Sequence, residues 1–107
     1  MSDDITDLVT IIKKRCYIMT TVFDDEIKSL ISAGITDCIQ SGISSDAFKK
    51  DVESDKYDDQ VINCITAFVK ANRGNDRSDT EVYMKMYESY RDKMTLESDY
   101  KAGDTNE

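Results

Sequence analysis

The sequence predicts an all-α fold in which four main helices pack as a small bundle. Apolar residues recur at spacings of three and four along most of the 107-residue chain, which is the periodicity of one helix face. Proline is absent and only four glycines occur, so few positions force a helix to break. We therefore expect a single helical domain over residues 1–97, followed by a polar tail over residues 98–107 that is disordered in the isolated chain.

The first two helices are indicated by apolar stripes with charged ends. The first stripe runs from Ile5 to Cys16, and its end carries three cations at residues 13–15, which suit the carbonyl end of a helix. The second helix begins with three carboxylates at residues 24–26, which suit the amide end, and Gly42 is predicted to end it. Gly34 lies within the second stripe, where the missing side chain lets another helix approach closely.

The third helix follows a segment that is difficult to interpret. Residues 43–57 have few apolar anchors among many charges, and we expect a loop with one short helix near residues 46–52. An apolar stripe over residues 61–69 then predicts the third helix, with Asp58 as its cap and Gly74 as its end.

The fourth helix follows after three residues and begins with a capping-box pattern from Ser78 to Glu81. A connection this short predicts that the third and fourth helices form an antiparallel hairpin in the C-terminal half. The fourth helix places Tyr83, Tyr87 and Tyr90 on one face, and a contact with the core is the favoured interpretation. Because tyrosine hydroxyls prefer a wet edge, part of this face is also a candidate contact between copies of the chain.

The charge excludes a general affinity for nucleic acids. The chain has 22 acidic against 14 basic residues and no histidine, which gives a formal charge of −8 and repels polyanions. No stretch approaches the roughly 18 apolar residues of a membrane span, and the first residues lack the pattern of a signal peptide. We expect no membrane contact, and a protein that stays in the compartment where it is made.

The three cysteines are predicted to be buried small apolar residues in a reducing cytoplasm. Cys16, Cys38 and Cys64 are odd in number, far apart in sequence and placed on apolar stripes. This interpretation is favoured over a metal or redox site because free cysteine is among the most buried residue types.

Enzymatic chemistry finds little support in the sequence. Histidine, the commonest general base, is absent, and no glycine-rich phosphate-binding motif occurs. The alternating acids Asp51, Glu53 and Asp55 imitate a calcium-binding loop, but Lys56 and Ile62 stand where that loop needs glycine and glutamate. We therefore predict a solvated loop, no cofactor, no metal and no enzymatic activity.

Three stretches of the sequence give the chain a resemblance to a known family. They are residues 23–31 (FDDEIKSLI), residues 61–74 (VINCITAFVKANRG) and residues 83–90 (YMKMYESY), followed by Leu96. The order of elements along the chain is an acidic-capped helix, a variable middle, an apolar helix, a short turn, a tyrosine-bearing helix and a polar tail. In this respect the chain resembles the small head-tail connector, or adaptor, proteins of tailed bacteriophages and prophages.

The resemblance implies a structural subunit of a ring of about a dozen copies, whose closure requires head-to-tail contacts between different faces. Such a ring docks on the portal of the DNA-filled head and offers its other face to the next connector or tail component. The resemblance also implies assembly in the cytoplasm of the bacterial host, followed by residence at the head-tail junction of the virion.

Three sets of candidate site residues follow for such a ring. Acids that line the channel would let DNA pass without sticking, because like charges leave no phosphate contacts. The candidate channel acids are Asp24, Asp25, Glu26, Asp51, Glu53 and Asp55. The candidate portal-docking tail contains Ser98, Asp99, Tyr100 and Lys101. The candidate subunit-contact face contains Tyr83, Tyr87 and Tyr90.

Two other classes of protein are weighed against the connector. An acidic helical binding module, such as a DNA mimic or a regulator, would act as a monomer or dimer, but lysines interleave with the acids here. A carboxylate-metal hydrolase would need acids on the inward stripes, which are instead apolar. Stoichiometry separates the mimic from the connector, since only the connector forms a large ring.

Overall fold

The computed structural model describes residues 3–73, 77–97 and 100 of the chain, and it confirms the all-α fold with four main helices. These are α1 (Asp3–Arg15), α2 (Asp24–Gln40), α3 (Asp59–Arg73) and α4 (Arg77–Leu96). A short 3-10 helix (Ser45–Phe48) lies between α2 and α3. None of the helices in the described ranges is long and apolar enough to cross a membrane.

Local chemistry sets most of the helix ends where the sequence predicts them. The last turn of α1 is basic and the first turn of α2 is acidic, as the helix dipole favours. After α2 the chain turns at Gly42, whose φ of +113° is reached readily only by glycine. The Asp58 side chain caps α3, since its Oδ1 accepts hydrogen bonds from the backbone amides of Gln60 (2.8 Å) and Val61 (3.3 Å).

Two boundaries differ from the prediction. The short helix of the middle segment begins earlier than expected, because the Ser44 hydroxyl accepts a hydrogen bond from the Asp46 amide (3.2 Å) and starts the turn there. The helix α4 begins at Arg77, one residue before the predicted cap at Ser78. Gly74, the predicted end of α3, lies outside the described residues.

The predicted antiparallel hairpin is formed by α3 and α4, the most extensive helix pair in the fold. Contacts pair early residues of α4 with late residues of α3. Lys70 Nζ lies 5.3 Å from the centre of the Tyr83 ring, whereas the Cys64 thiol, nearly two turns earlier on α3, faces the Tyr87 carbonyl at 3.9 Å. The two helices α3 and α4 therefore run antiparallel.

The core lies between all four helices, and a glycine sets the distance between two of them. Fully buried side chains come from each helix: Leu8, Ile12, Ile27, Ile31, Val61, Ile65, Val69, Tyr87 and Met94. A Cβ atom built on Gly34 would lie 3.0 Å from Phe68 Cδ2 and 3.3 Å from Ile65 Cδ1. The predicted role of Gly34 is thus confirmed, because α3 packs against α2 at this missing side chain.

We expect the Asp58→Ala variant to lower the free energy of unfolding by about 1 kcal/mol, the usual cost of removing a helix cap. The same carboxylate accepts a hydrogen bond from the Tyr100 hydroxyl (2.8 Å), which the variant also loses. Urea unfolding followed by circular dichroism measures the change. Asp59→Ala, at the next residue, is the matched control, and an equal loss in both variants would contradict the capping role.

Candidate interaction surfaces

The predicted tyrosine face is divided by the structure. Tyr87 is only 1% exposed, and its ring packs on Phe68 with centroids 4.9 Å apart. Its hydroxyl donates a hydrogen bond to Asp37 Oδ2 (2.5 Å). Tyr87 is therefore a core residue of its own subunit. Its burial corrects the prediction that placed it in the subunit-contact face. Tyr83 and Tyr90 are partly exposed and remain candidates for that contact.

A polar network joins α2 to α4 next to this ring. Asp37 Oδ2 also accepts a hydrogen bond from Arg91 Nη1 (3.0 Å), and the Arg91 guanidinium lies 5.5 Å from the centre of the Tyr87 ring. The hydrogen bond from Tyr87 lowers the pKa of the Asp37 carboxyl, and Arg91 acts in the same direction against the opposing effect of burial. Burial and the bond to Asp37 raise the pKa of Tyr87, so its hydroxyl remains a donor.

The lowered pKa of Asp37 predicts a loss of stability in acid. A carboxyl whose pKa is lower in the folded state than in the unfolded state stabilises the fold when the pH is above its unfolded pKa. This contribution is lost as the pH falls through the folded pKa. We expect Asp37→Asn to be less stable than the wild type at pH 7, with the difference shrinking once the pH falls below about 4. Urea unfolding across this pH range measures the difference.

The control for this experiment is Glu88→Gln, an exposed substitution on α4. It is expected to change stability by less than about 0.5 kcal/mol at each pH. The contrary result is the same difference in free energy of unfolding between wild type and Asp37→Asn at neutral and acid pH. That result would rule out the proposed contribution of the Asp37 carboxylate.

The candidate channel acids form two separate groups. At the start of α2, Asp24 Oδ1 lies 2.6 Å from Lys13 Nζ, and Glu26 Oε2 lies 3.4 Å from Arg73 Nε. Asp25, between them, is exposed. These ion pairs join the ends of α1 and α3 to the start of α2, so part of the negative charge at this end is compensated within the subunit.

The second group lies in the loop that precedes α3. Asp51 accepts a hydrogen bond from the Ser54 amide (2.8 Å), which lowers the pKa of its carboxyl. Glu53 is exposed, and Asp55 Oδ1 lies 3.7 Å from Lys50 Nζ. Lys50 also pairs with Asp7 in the first half of α1, whereas Asp24 pairs with the last turn of that helix. The structure therefore does not bring the six predicted acids together.

Only one residue of the candidate docking tail is described. Ser98, Asp99 and Lys101 lie outside the described residues. The carbonyl of Tyr100 accepts a hydrogen bond from the Ser44 amide (2.7 Å), and its hydroxyl donates to Asp58 Oδ2 (2.8 Å). Tyr100 thus contacts the segment after α2 and the start of α3 in its own subunit.

An exposed apolar loop was missed by the sequence interpretation. Between α1 and α2, Tyr17 is 86% exposed, Met19 93% and Val22 78%. Apolar side chains exposed together are typical of a surface that contacts another protein. The signal in the sequence was an apolar run that continues past the basic end of the first helix without helical spacing.

A groove along α4 was also missed. Two adjoining depressions of about 170 and 470 Å³ share Met86 and Tyr90, and we call them together the α4 groove. Tyr83 extends its apolar part. The cations that line the groove are Arg15, Lys70, Lys85 and Lys93. Sequence periodicity alone did not reveal it because the cations come from three different helices.

The cysteines largely follow the prediction. Cys38 and Cys64 are fully buried and unpaired, with their Sγ atoms 3.9 Å apart across the contact between α2 and α3. The hydrogen bond with Cys38 and burial raise the pKa of the Cys64 thiol, so it stays protonated. Cys16 is half-buried. The interpretation as small buried residues is confirmed for Cys38 and Cys64 only.

In the part of the chain that the structure describes, no three histidine, cysteine, aspartate or glutamate side chains group as ligands for a metal ion. The prediction that the protein needs no cofactor stays a prediction.

Comparison with protein families finds a model described as "Phage connector protein" that matches residues 8–101. The matched region contains most of α1 and the whole of α2, α3 and α4. Comparisons with curated proteins and with solved structures find no significant match.

Proposed function

The chain belongs to the phage connector protein family, a structural family of the virion head-tail junction, and from this premise we propose that it is a subunit of a ring that docks on the portal. The ring joins the DNA-filled head to the next connector or tail component. The observation that carries this proposal is the family match over residues 8–101, which spans nearly the entire helical bundle.

The surface of the subunit supports a role in assembly. The exposed apolar side chains of the loop between α1 and α2 and the α4 groove are two separate regions suited to protein contacts. A closed ring needs two different contact surfaces on each copy, because the same head-to-tail contact repeats around the axis. A subunit with two such regions meets this requirement.

The acidic balance of the chain supports passage of DNA through the ring. A net charge of −8 disfavours phosphate contacts, so a channel lined by acids would hold DNA weakly. The two candidate linings are the acids at the start of α2 and those of the loop before α3. Imaging an assembled ring tests this part of the proposal, and finding both groups on the outer wall would exclude it.

The C-terminal tail is the proposed docking segment for the portal. It is polar, and Tyr100, its one described residue, contacts Asp58 beside the start of α3. Deleting residues 98–107 is expected to abolish binding to portal rings while circular dichroism still reports a helical bundle. Retained binding after the deletion would exclude this role. Tyr100→Phe, which removes only the hydroxyl, is the control for the lost contact with Asp58.

The deciding experiment combines size-exclusion chromatography and light scattering over a concentration series with negative-stain imaging of the largest species. Portal rings from the same phage are then added to the protein. Closed rings with a central hole, free or on the portal, are the expected result. A protein that stays a monomer or dimer and does not bind the portal would exclude the connector ring and favour the acidic binding module.

A further inference from the structure

The α4 groove carries a charge opposite to that of the whole chain. The chain has a net charge of −8, yet the described side chains that line the groove include four cations and no carboxylate. Two of these cations face neutral partners. Arg15 Nη1 donates a hydrogen bond to Asn63 Oδ1 (2.9 Å), and Lys70 lies over the Tyr83 ring. Their positive charge is therefore available to an acidic partner.

The groove also contains an unsatisfied polar atom beside apolar surface. Thr66 lines the groove and is only 7% exposed, and its hydroxyl finds no hydrogen-bond partner among the described residues. Met86, at the junction of the two depressions, is 41% exposed although it is a large apolar residue. The groove thus favours an occupant with carboxylates and a small apolar side chain.

The loop over residues 51–55, which we call the acidic loop, has this chemistry. It contains three acids and, between the first two, Val52, which is 95% exposed. Asp55 is paired with Lys50 of its own subunit, so Asp51 and Glu53 are the carboxylates that the loop presents to a partner. Its shape is held within the subunit, because the Asp51 amide donates to the Lys56 carbonyl and the Asp55 amide donates to the Asp51 carbonyl, both at 2.8 Å. A loop that is already ordered loses less conformational freedom on binding.

We propose that the α4 groove of one subunit binds the acidic loop of a second copy of the chain. The inference rests on the proposed ring and names the two faces that form it. The Asp51 and Glu53 carboxylates of the loop meet the cations of the groove, and Val52 packs on Met86 and Tyr90. The contact joins two different surfaces, as a closed ring requires. The acids at the start of α2 are then left as the lining of the channel.

Complementary charge reversals test the contact. The groove variant is Lys85→Glu with Lys93→Glu, and the loop variant is Glu53→Lys. All three positions are exposed, and the hydrogen bonds between Asp51 and Ser54 that hold the loop are retained. The control variant, Lys14→Glu with Lys28→Glu, makes the same charge change as the groove variant outside both surfaces. Thermal melts followed by circular dichroism confirm that every variant folds.

Sedimentation velocity over a concentration series, with and without portal rings, measures association. Each variant alone is expected to associate at least about tenfold more weakly than the wild type, because like charges then face each other. An equimolar mixture should recover, since the reversed loop of one variant matches the reversed groove of the other. The control variant should associate like the wild type.

The outcomes separate this contact from the ring itself. Variants that associate like the wild type, or a mixture that does not recover, would overturn the groove-loop contact while wild-type rings still support the connector function. A wild-type protein that stays monomeric both alone and with portal rings would overturn the contact and the proposed function together.

Discussion

Replacing Tyr87 with alanine is expected to lower the free energy of unfolding by about 4 kcal/mol, the usual cost of removing a buried aromatic side chain. The ring is 1% exposed and packs on Phe68, so its loss leaves a cavity between α3 and α4. For a domain of this size the melting temperature should fall by about 20 °C. Urea and thermal unfolding followed by circular dichroism measure both quantities.

Two further variants separate packing from hydrogen bonding at this position. Tyr87→Phe keeps the ring and removes the hydroxyl that donates to Asp37, so a smaller loss of about 1.5 kcal/mol is expected. Tyr83→Ala makes the same truncation one turn earlier on α4, at a partly exposed site, and should cost no more than about 1 kcal/mol. Equal effects of the two alanine variants would contradict the placement of Tyr87 in the core.

Replacing Gly34 with leucine is expected to destabilise the bundle by about 3 kcal/mol, because the added side chain forces α2 away from α3. Even its first atom would lie 3.0 Å from Phe68 Cδ2, and the remaining atoms have no space to occupy. Alanine is a less decisive substitution, since its better helix propensity gains about 1 kcal/mol over glycine and offsets part of the clash. Urea unfolding again gives the size of the effect.

The matched control for Gly34→Leu is Ala33→Leu at the neighbouring, exposed position of α2. This change adds a similar side chain where it meets solvent, so a shift within about 0.5 kcal/mol is expected. A stable Gly34→Leu variant would mean that α2 and α3 pack less closely than the structure indicates.

The features that the sequence predicted correctly are those set by local chemistry. The acidic start of α2, the turn at Gly42 and the Asp58 cap each depend on residues within one turn of the chain. The role of Gly34 was also predictable, because a glycine inside an apolar stripe indicates a close neighbour whichever helix supplies it.

The features that were missed depend on residues distant in sequence. Asp37 lies outside the apolar stripe of α2, and its partner Arg91 is 54 residues away, so no local pattern indicates their contact. The α4 groove combines side chains from α1, α3 and α4 for the same reason. Tyr87 could not be separated from Tyr83 and Tyr90 by spacing, since all three share one helix face and only packing decides which is buried.

The hydrogen bonds at Asp37 have a consequence for the accuracy of assembly. Apolar side chains can slide over one another with little change in free energy, whereas hydrogen bonds weaken steeply when they bend. Two such bonds from α4 converge on one carboxylate oxygen of α2, which restrains the rotation of one helix relative to the other. In the proposed ring every copy is a wedge of the same angle, and any scatter in that angle is repeated around the circle. A directional polar link inside each wedge thus limits variation in the width of the central hole.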